Sequence, residues 1–355
     1  MFGKLGKQYA AQVAEKIEQL ALDKLNERNP QPVHSEKTTE RLHKVSGRRK
    51  AVFIGINYKG QKSELKGCIN DVKKIKKFFQ THYELNEIMV LTDDKTAEPE
   101  TDCAPTRANL LKAFRWLVKG AKPGDSLLLH YSGHGGTVKN KDGTEASGFD
   151  QTLLPLDYET AGPILDDDVH DVLCKSLRKG VRLTAIFDCC HSETIMDLPY
   201  VYNVNGKLEI IENDKNKSVA TLVAAGTQFL LDGNRRVAGD IFLKEFKNLV
   251  TCGTTDAGAE SARRKKNIEA NETSADVIMF SGCKDDQTSA DTRVQGEAIG
   301  AMSYALVQTL KKNNNKRLTY TALLQQMRHV LEGKYTQVPQ MSAGRKLILN
   351  HPFQI

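Results

Sequence analysis

DSLLLHYSGHGG (residues 125–136) and VRLTAIFDCCHS (residues 181–192) decide the fold. Each is a short apolar run ending in a cluster of small, polar or reactive residues, as a strand buried on both faces does when it runs out into a functional loop. The same punctuation continues outward. RRKAVFIGIN (48–57) and EIMVLTD (87–93) read as strands, and CINDVKKIKKFFQTHY (68–83) and TRANLLKAFRWLVKGA (106–121) as amphipathic helices. DDDVHDVLCKSLRKG (166–180) adds a helix before the second motif, and DVIMFSG, EAIGAMSYALVQTLKK, TYTALLQQMRHVLEG and RKLILN follow between 276 and 350. Strands alternating with helices predict an α/β fold: one mostly parallel sheet flanked by helices on both faces.

The N-terminal stretch differs. Phe2, Leu5, Tyr9, Val13, Ile17, Leu20 and Leu25 are spaced as on one face of a helix, and NPQPVHSEKTTE follows as a polar linker. Residues 1–47 are therefore read as a helical segment and linker, a possible regulatory cover, and 48–355 as one catalytic domain. Within that domain 48–202 forms a larger part and 276–355 a smaller one. Between them 203–275 is an insertion without regular alternation, whose densest basic cluster is Arg263, Arg264, Lys265 and Lys266.

Composition narrows the function classes. With 39% hydrophobic and 27% charged residues the 355-residue chain is an ordinary globular protein. The net charge of +7 is dispersed among 44 acidic residues, which argues against nucleic acid as a partner. No run approaches the length of a bilayer span and the start lacks a signal-peptide core, so no integral membrane segment and a cytoplasmic location are expected. Seven cysteines, an odd number without C-x-x-C pairs, fit a reducing compartment with a thiol free for chemistry.

Ligands of parallel sheets bind beyond the carboxyl ends of the strands. There one motif offers His134 in a glycine-rich turn and the other offers Asp188, Cys189, Cys190 and His191. If the two strands are neighbours, an imidazole and a thiol face one crevice. A thiol of ordinary pKa, near 8.5, is only a few per cent thiolate at neutral pH, and His134 is the candidate base that would activate it. The backbone amides of Gly135 and Cys190 are the candidates for holding an oxyanion. His191, adjacent to the thiol, is read as structural.

HYSGHGG followed some fifty residues later by FDCCHS resembles the histidine and cysteine motifs of metacaspases, the caspase relatives of protists, fungi and plants. GINYKGQKSELKGCIND, SGCKDDQTSAD and VPQMSAG extend the resemblance over roughly 48–355, in the segment order of type I members. The resemblance implies a caspase-like fold and a cysteine endopeptidase, generally monomeric, acting on proteins or peptides after Arg or Lys. It assigns the nucleophile to Cys190 and the dyad histidine to His134. One departure stands out: Glu193 follows the motif's serine where the family usually has glycine.

The resemblance also places Cys68, Asp71, Ser132 and Asp188 in the pocket for the basic side chain; read alone, Asp71 could equally cap a helix. It places Asp150, Asp166, Asp167 and Asp197 as ligands of an activating Ca2+, whereas the run Asp166–Asp168 by itself reads as the acidic first turn of a helix. Self-cleavage within the basic insertion is a further expectation. The rival readings are a calcium-responsive scaffold with impaired catalysis and a cysteine hydrolase acting on a non-peptide acyl group.

Overall fold

The computed structural model describes residues 41–94, 104–139, 149–189, 194–204, 208–212, 268–283, 292–294, 297–313, 318–332 and 338–355. The N-terminal helix and linker, most of the insertion with its basic cluster, and Cys190, His191 and Glu193 lie outside the described residues.

Five strands form the parallel body of an eight-stranded sheet: β1 (Arg49–Gly55), β2 (Glu87–Thr92), β3 (Ser126–Ser132), β7 (Arg182–Asp188) and β10 (Asp276–Cys283). Their order is β2-β1-β3-β7-β10. Three antiparallel strands extend the far side in the order β13 (Val338–Ala343), β8 (Tyr200–Val204) and β9 (Leu208–Glu212). Two of them, β8 and β9, form a hairpin where the sequence pattern showed no alternation. A small separate sheet joins β4 (Gly135–Lys139), β5 (Phe149–Leu153) and β6 (Ile164–Leu165), and β11 (Thr292–Val294) pairs with β12 (Glu297–Ile299).

Strand side chains alternate between two cores, as the pleat requires. Val52, Ile54, Leu127, Leu129, Leu183, Ala185, Val277 and Met279 face one, beneath α2 (Arg107–Val118) and α4 (Asp166–Leu173). Ala51, Phe53, Leu128, Ile186, Ile278 and Phe280 face the other, beneath α1 (Cys68–His82), α5 (Ala301–Lys312) and α6 (Tyr320–Leu331). Each such fully buried Leu, Ile or Phe contributes about 1.5–3 kcal/mol. Thr106 and Thr319 start α2 and α6 by accepting from the amides of Asn109 and Ala322, which replaces bonds that a helix end otherwise lacks. A short helix, α3 (Tyr158–Ala161), completes the described elements used below.

The amino end of the sheet is closed by ions. Asp276, which is fully buried, accepts from Arg182 (3.2 Å) and from Arg345, and also from the backbone N–H of His43 (2.7 Å). Arg182 donates in turn to the His43 carbonyl, so residues just before β1 are strapped across the starts of β7 and β10.

Candidate active site

The two motif strands are sheet neighbours. In the β3–β7 ladder Ser132 stands opposite Asp188, so both strands end at one level and their following residues leave from the same edge. His134 follows Ser132 by two positions and Cys190 follows Asp188 by two. Alternation then sorts the side chains: Tyr131 and Phe187 point into the α2/α4 core, while His130, Ser132 and Asp188 share the parity of Leu128 and Ile186 and face α1 and α5.

His134 is held from three sides. Its backbone N–H donates to the Tyr58 hydroxyl (2.9 Å), which donates to the carbonyl of Leu154. The hydroxyl is thus wedged where a β4–β5 ladder bond would otherwise run. Tyr131 donates to the His134 carbonyl at 2.8 Å, and the Tyr58 and His134 rings are 4.7 Å apart. Finally His134 Nε2 lies 2.7 Å from the carbonyl oxygen of Ser63. A carbonyl only accepts, so Nε2 carries the proton and Nδ1 keeps the lone pair that a general base needs. Sequence reasoning identified no orienting residue for His134. The orienter is a backbone oxygen, to which side-chain patterns are blind.

Glycine is required beside this histidine: a Cβ on Gly133 would sit 2.9 Å from the Tyr131 hydroxyl and 3.1 Å from that of Tyr58. Gly135 opens β4 opposite Leu153. The neighbouring Leu154 N–H bonds to the His134 carbonyl, so the Gly135 pair falls between hydrogen-bonded pairs and its amide points away from β5.

Asp71, Ser132 and Asp188 come together on the α1/α5 face. Ser132 Oγ donates to Asp71 Oδ2 at 2.8 Å, and the Gly300 amide donates to Asp71 Oδ1 at 2.9 Å. The Ser303 amide donates to Asp188 Oδ2 at 2.8 Å. Both carboxylates therefore cap the start of α5 from outside, where its amides are unpaired and its dipole is positive. The absent side chain of Gly300 makes this possible, since a Cβ there would collide with the Asp188 carboxylate. Asp71 and Asp188 are buried, at 1% and 8% exposure, and among the described residues neither forms an ion pair with a Lys or Arg. Burial, with the Asp188 carboxylate beside it, holds the Asp71 carboxyl well above the ordinary range. Burial raises Asp188 as well, opposed by the amide and hydroxyl of Ser303 and the amide of Met302.

Two residues that no motif singled out stand behind Asp188. Ser303 Oγ lies 2.9 Å from Nε2 of His130, whose fully buried ring is kept neutral because burial lowers its pKa to about 3. Cys68, at the start of α1, is buried in the other core with Tyr58, Leu65 and Tyr131.

The acidic set around α4 divides. Asp166 is buried and accepts from the amides of Gln151 (2.7 Å) and Asp167 (3.1 Å); burial foremost, with Asp150 and Asp167 adding repulsion, pushes its carboxyl up to about 6. Asp167 is exposed, and Asp168 turns away to Arg107 at 3.3 Å. Asp150 on β5 and Asp197, with a left-handed φ of 47°, are each 8% exposed or less. Among the described residues no three His, Cys, Asp or Glu side chains gather closely enough to hold a metal ion. Asp150, Asp166 and Asp167 lie within electrostatic reach of one another.

Residues 49–199 match the family model described as metacaspase, peptidase C14 domain. The chain is 45% identical to Metacaspase-1 of Eremothecium gossypii over 312 residues, covering 87% of this chain and 66% of that protein. It is 43% identical to Metacaspase-1A of Neurospora crassa (85% and 64% covered) and 43% identical to Metacaspase-1 of Ajellomyces capsulatus (85% and 81% covered). It spans about two thirds of the length of the first two. Among solved structures it is similar to protein GSU0716 of Geobacter sulfurreducens, with a TM-score of 0.49 and 22% identity, covering 84% of this chain and 93% of that one.

Proposed function

Since this chain belongs to the metacaspase family, we propose that it is a cysteine endopeptidase that cleaves after Arg or Lys. The observation that carries the reading is His134: pinned through Nε2–H to the Ser63 carbonyl, it offers Nδ1 as a base beyond the strand ends where Ser132 stands opposite Asp188, two positions before Cys190 in sequence.

In this reading Nδ1 of His134 takes the thiol proton of Cys190 and the thiolate attacks the scissile carbonyl carbon. The Gly135 amide steadies the oxyanion, His134 returns the proton to the leaving amine, and water then hydrolyses the thioester. The Ser63 carbonyl does the work of a third catalytic partner by fixing the ring and its tautomer. The preference for a basic side chain is supported by Asp71 and Asp188: two buried carboxylates, repelling one another and without an ion-paired Lys or Arg among the described residues, gain most from a guest that brings a cation.

Calcium activation is a separate part of the proposal, supported by the mutual influence of Asp150, Asp166 and Asp167, and no step above runs through a metal. Self-processing in the 203–275 insertion rests on its basic cluster. Activity with one chain per catalytic unit, and residence in the cytoplasm, belong to the same reading.

The test is hydrolysis of fluorogenic peptides ending in Arg, Lys or Asp, with calcium or excess chelator, by wild type, Cys190→Ala and His134→Ala. Cleavage after Arg or Lys that both substitutions abolish supports the mechanism and pocket. Equal rates in calcium and chelator remove the calcium part alone. No cleavage by folded protein points to a scaffold, with Glu193 the first position to revert to glycine.

A further inference from the structure

Asp71 and Asp188 look like twins, but their surroundings differ. Asp71 is tied by one hydroxyl, Ser132, and one amide, Gly300. Asp188 faces the first turn of α5, taking the Ser303 amide, with the Ser303 hydroxyl and Met302 amide favouring its charged form. Behind Ser303 stands His130, on the same strand as Ser132 and two residues earlier.

The tautomer of His130 follows from accounting for donors. If the Ser303 hydroxyl donates toward Asp188, its oxygen must accept from His130, so the proton sits on Nε2. This leaves Nδ1, which has no partner among the described residues, as an unpaired acceptor. The opposite tautomer would bury an unpaired N–H, which is rarer in proteins. The chain of donors then runs in one direction, from His130 through Ser303 to Asp188.

Resting on the pocket reading above, we propose that Ser303 and His130 are positioning residues for substrate selection: His130 Nε2–H orients the Ser303 hydroxyl, and Ser303 keeps Asp188 as the arm that carries the negative charge to the substrate's basic side chain. Asp71, tied to the Ser132 hydroxyl and the Gly300 amide, is the second arm. The titratable groups facing the pair are each other, Lys74 on α1 and His130 on β3; α5 contributes amides and a hydroxyl.

The experiment is the pH dependence of KM and kcat for peptides ending in Arg and in uncharged citrulline, with wild type, Ser303→Ala, Ser303→Thr and His130→Phe. Losing the hydroxyl removes a donor to ionised Asp188, so the pH at which KM for the Arg peptide begins to rise should move up by about one unit. On the acid limb, where KM rises with protonation of the pocket, that is a roughly tenfold higher KM at the same pH. In Ser303→Ala kcat and the citrulline peptide should be unaffected, and Ser303→Thr should restore the wild-type profile. His130→Phe should reproduce part of the shift and add little to Ser303→Ala in the double variant. A Ser303→Ala profile that does not move, or a loss shared equally by both peptides, overturns the proposal while leaving the pocket intact. A wild type without preference for Arg over citrulline removes the pocket reading, and the positioning role falls with it. Carboxyl 13C titration of Asp188 in wild type and Ser303→Ala reads the same shift without substrate, and an unchanged titration overturns the proposal even if Ser303→Ala folds poorly enough to blur the kinetics.

Discussion

Asp188 and Asp276 are buried carboxylates at opposite poles of one strand pair. Asp276 opens β10 opposite Arg182, the first residue of β7, and Asp188 is the last residue of β7. At the amino pole burial would raise the acid, but Arg345 and His43 outweigh it and hold Asp276 below its ordinary value. At the carboxyl pole no arginine is supplied, and Asp188 and its neighbour Asp71 are pushed upward. One pole has its charge balanced from within the chain and serves stability. The other has no ion-paired Lys or Arg among the described residues, which is what the proposed pocket for a basic residue needs.

Breaking the balanced pole has the largest expected effect. Asp276→Ala leaves Arg182 and Arg345 buried without this carboxylate and should destabilise the fold by about 3–5 kcal/mol, read by urea unfolding, with residual activity following the folded fraction. Asp71→Asn at the other pole should do the reverse. It removes a repulsion and keeps an acceptor for Ser132, so stability should change by no more than about 1 kcal/mol, whereas kcat/KM for Arg peptides should fall about a hundredfold, the loss of one charged hydrogen bond. If Asp71→Asn unfolds the protein and Asp276→Ala does not, the contrast is mistaken.

Acid should separate the poles in sign. Asp71 and Asp188 have raised folded-state pKa values, so their ionisation costs stability as pH rises through those values, and that cost is absent below the unfolded value. Binding of a cation needs the ionised form, so KM for basic peptides should climb as pH falls through these raised values. Asp276 is depressed; its contribution is complete above the unfolded carboxylate value and disappears only as pH falls through the lower folded one. Benzamidine as a guanidinium-like guest should therefore raise the melting temperature at pH 8 more than at pH 5.5. The smallest effect is expected for Tyr58→Phe: loss of the hydroxyl between His134 N–H and the Leu154 carbonyl should lower kcat about tenfold and stability by about 1–2 kcal/mol, with basic selectivity unchanged.

The parallel body of the sheet could be read in the sequence because both its faces are buried, so its strands appear as largely apolar runs such as AVFIG and LLL. The sequence leaves it as a condition whether β3 and β7 are neighbours, and their ladder supplies the answer. The edge was less legible. Tyr200–Val204 and Leu208–Glu212 mix polar and apolar residues as an antiparallel hairpin does, and the pattern merged into the insertion. Ser63, Gly300, Ser303 and His130 escaped for a different reason. Ser63 acts through its backbone oxygen, Gly300 through the side chain it lacks, and Ser303 meets His130 across 173 residues of chain. Residue identity carries little trace of such roles. Asp276, in contrast, was visible only as the first letter of a strand, and its two arginines come from 94 residues before and 69 after.

The interior position of β10 has a consequence for covalent continuity. Chain order would place it after β9 at the outer edge, yet it is zipped between β7 and β13, with hydrogen bonds on both sides. A single cut between residues 213 and 267 would therefore sever the polypeptide without freeing a piece: the downstream fragment supplies the sheet's middle and α5 under the pocket, while the upstream fragment supplies both motif strands. The two fragments should migrate as one particle in a native gel and separate only in denaturant, so that a nicked molecule keeps an unbroken sheet.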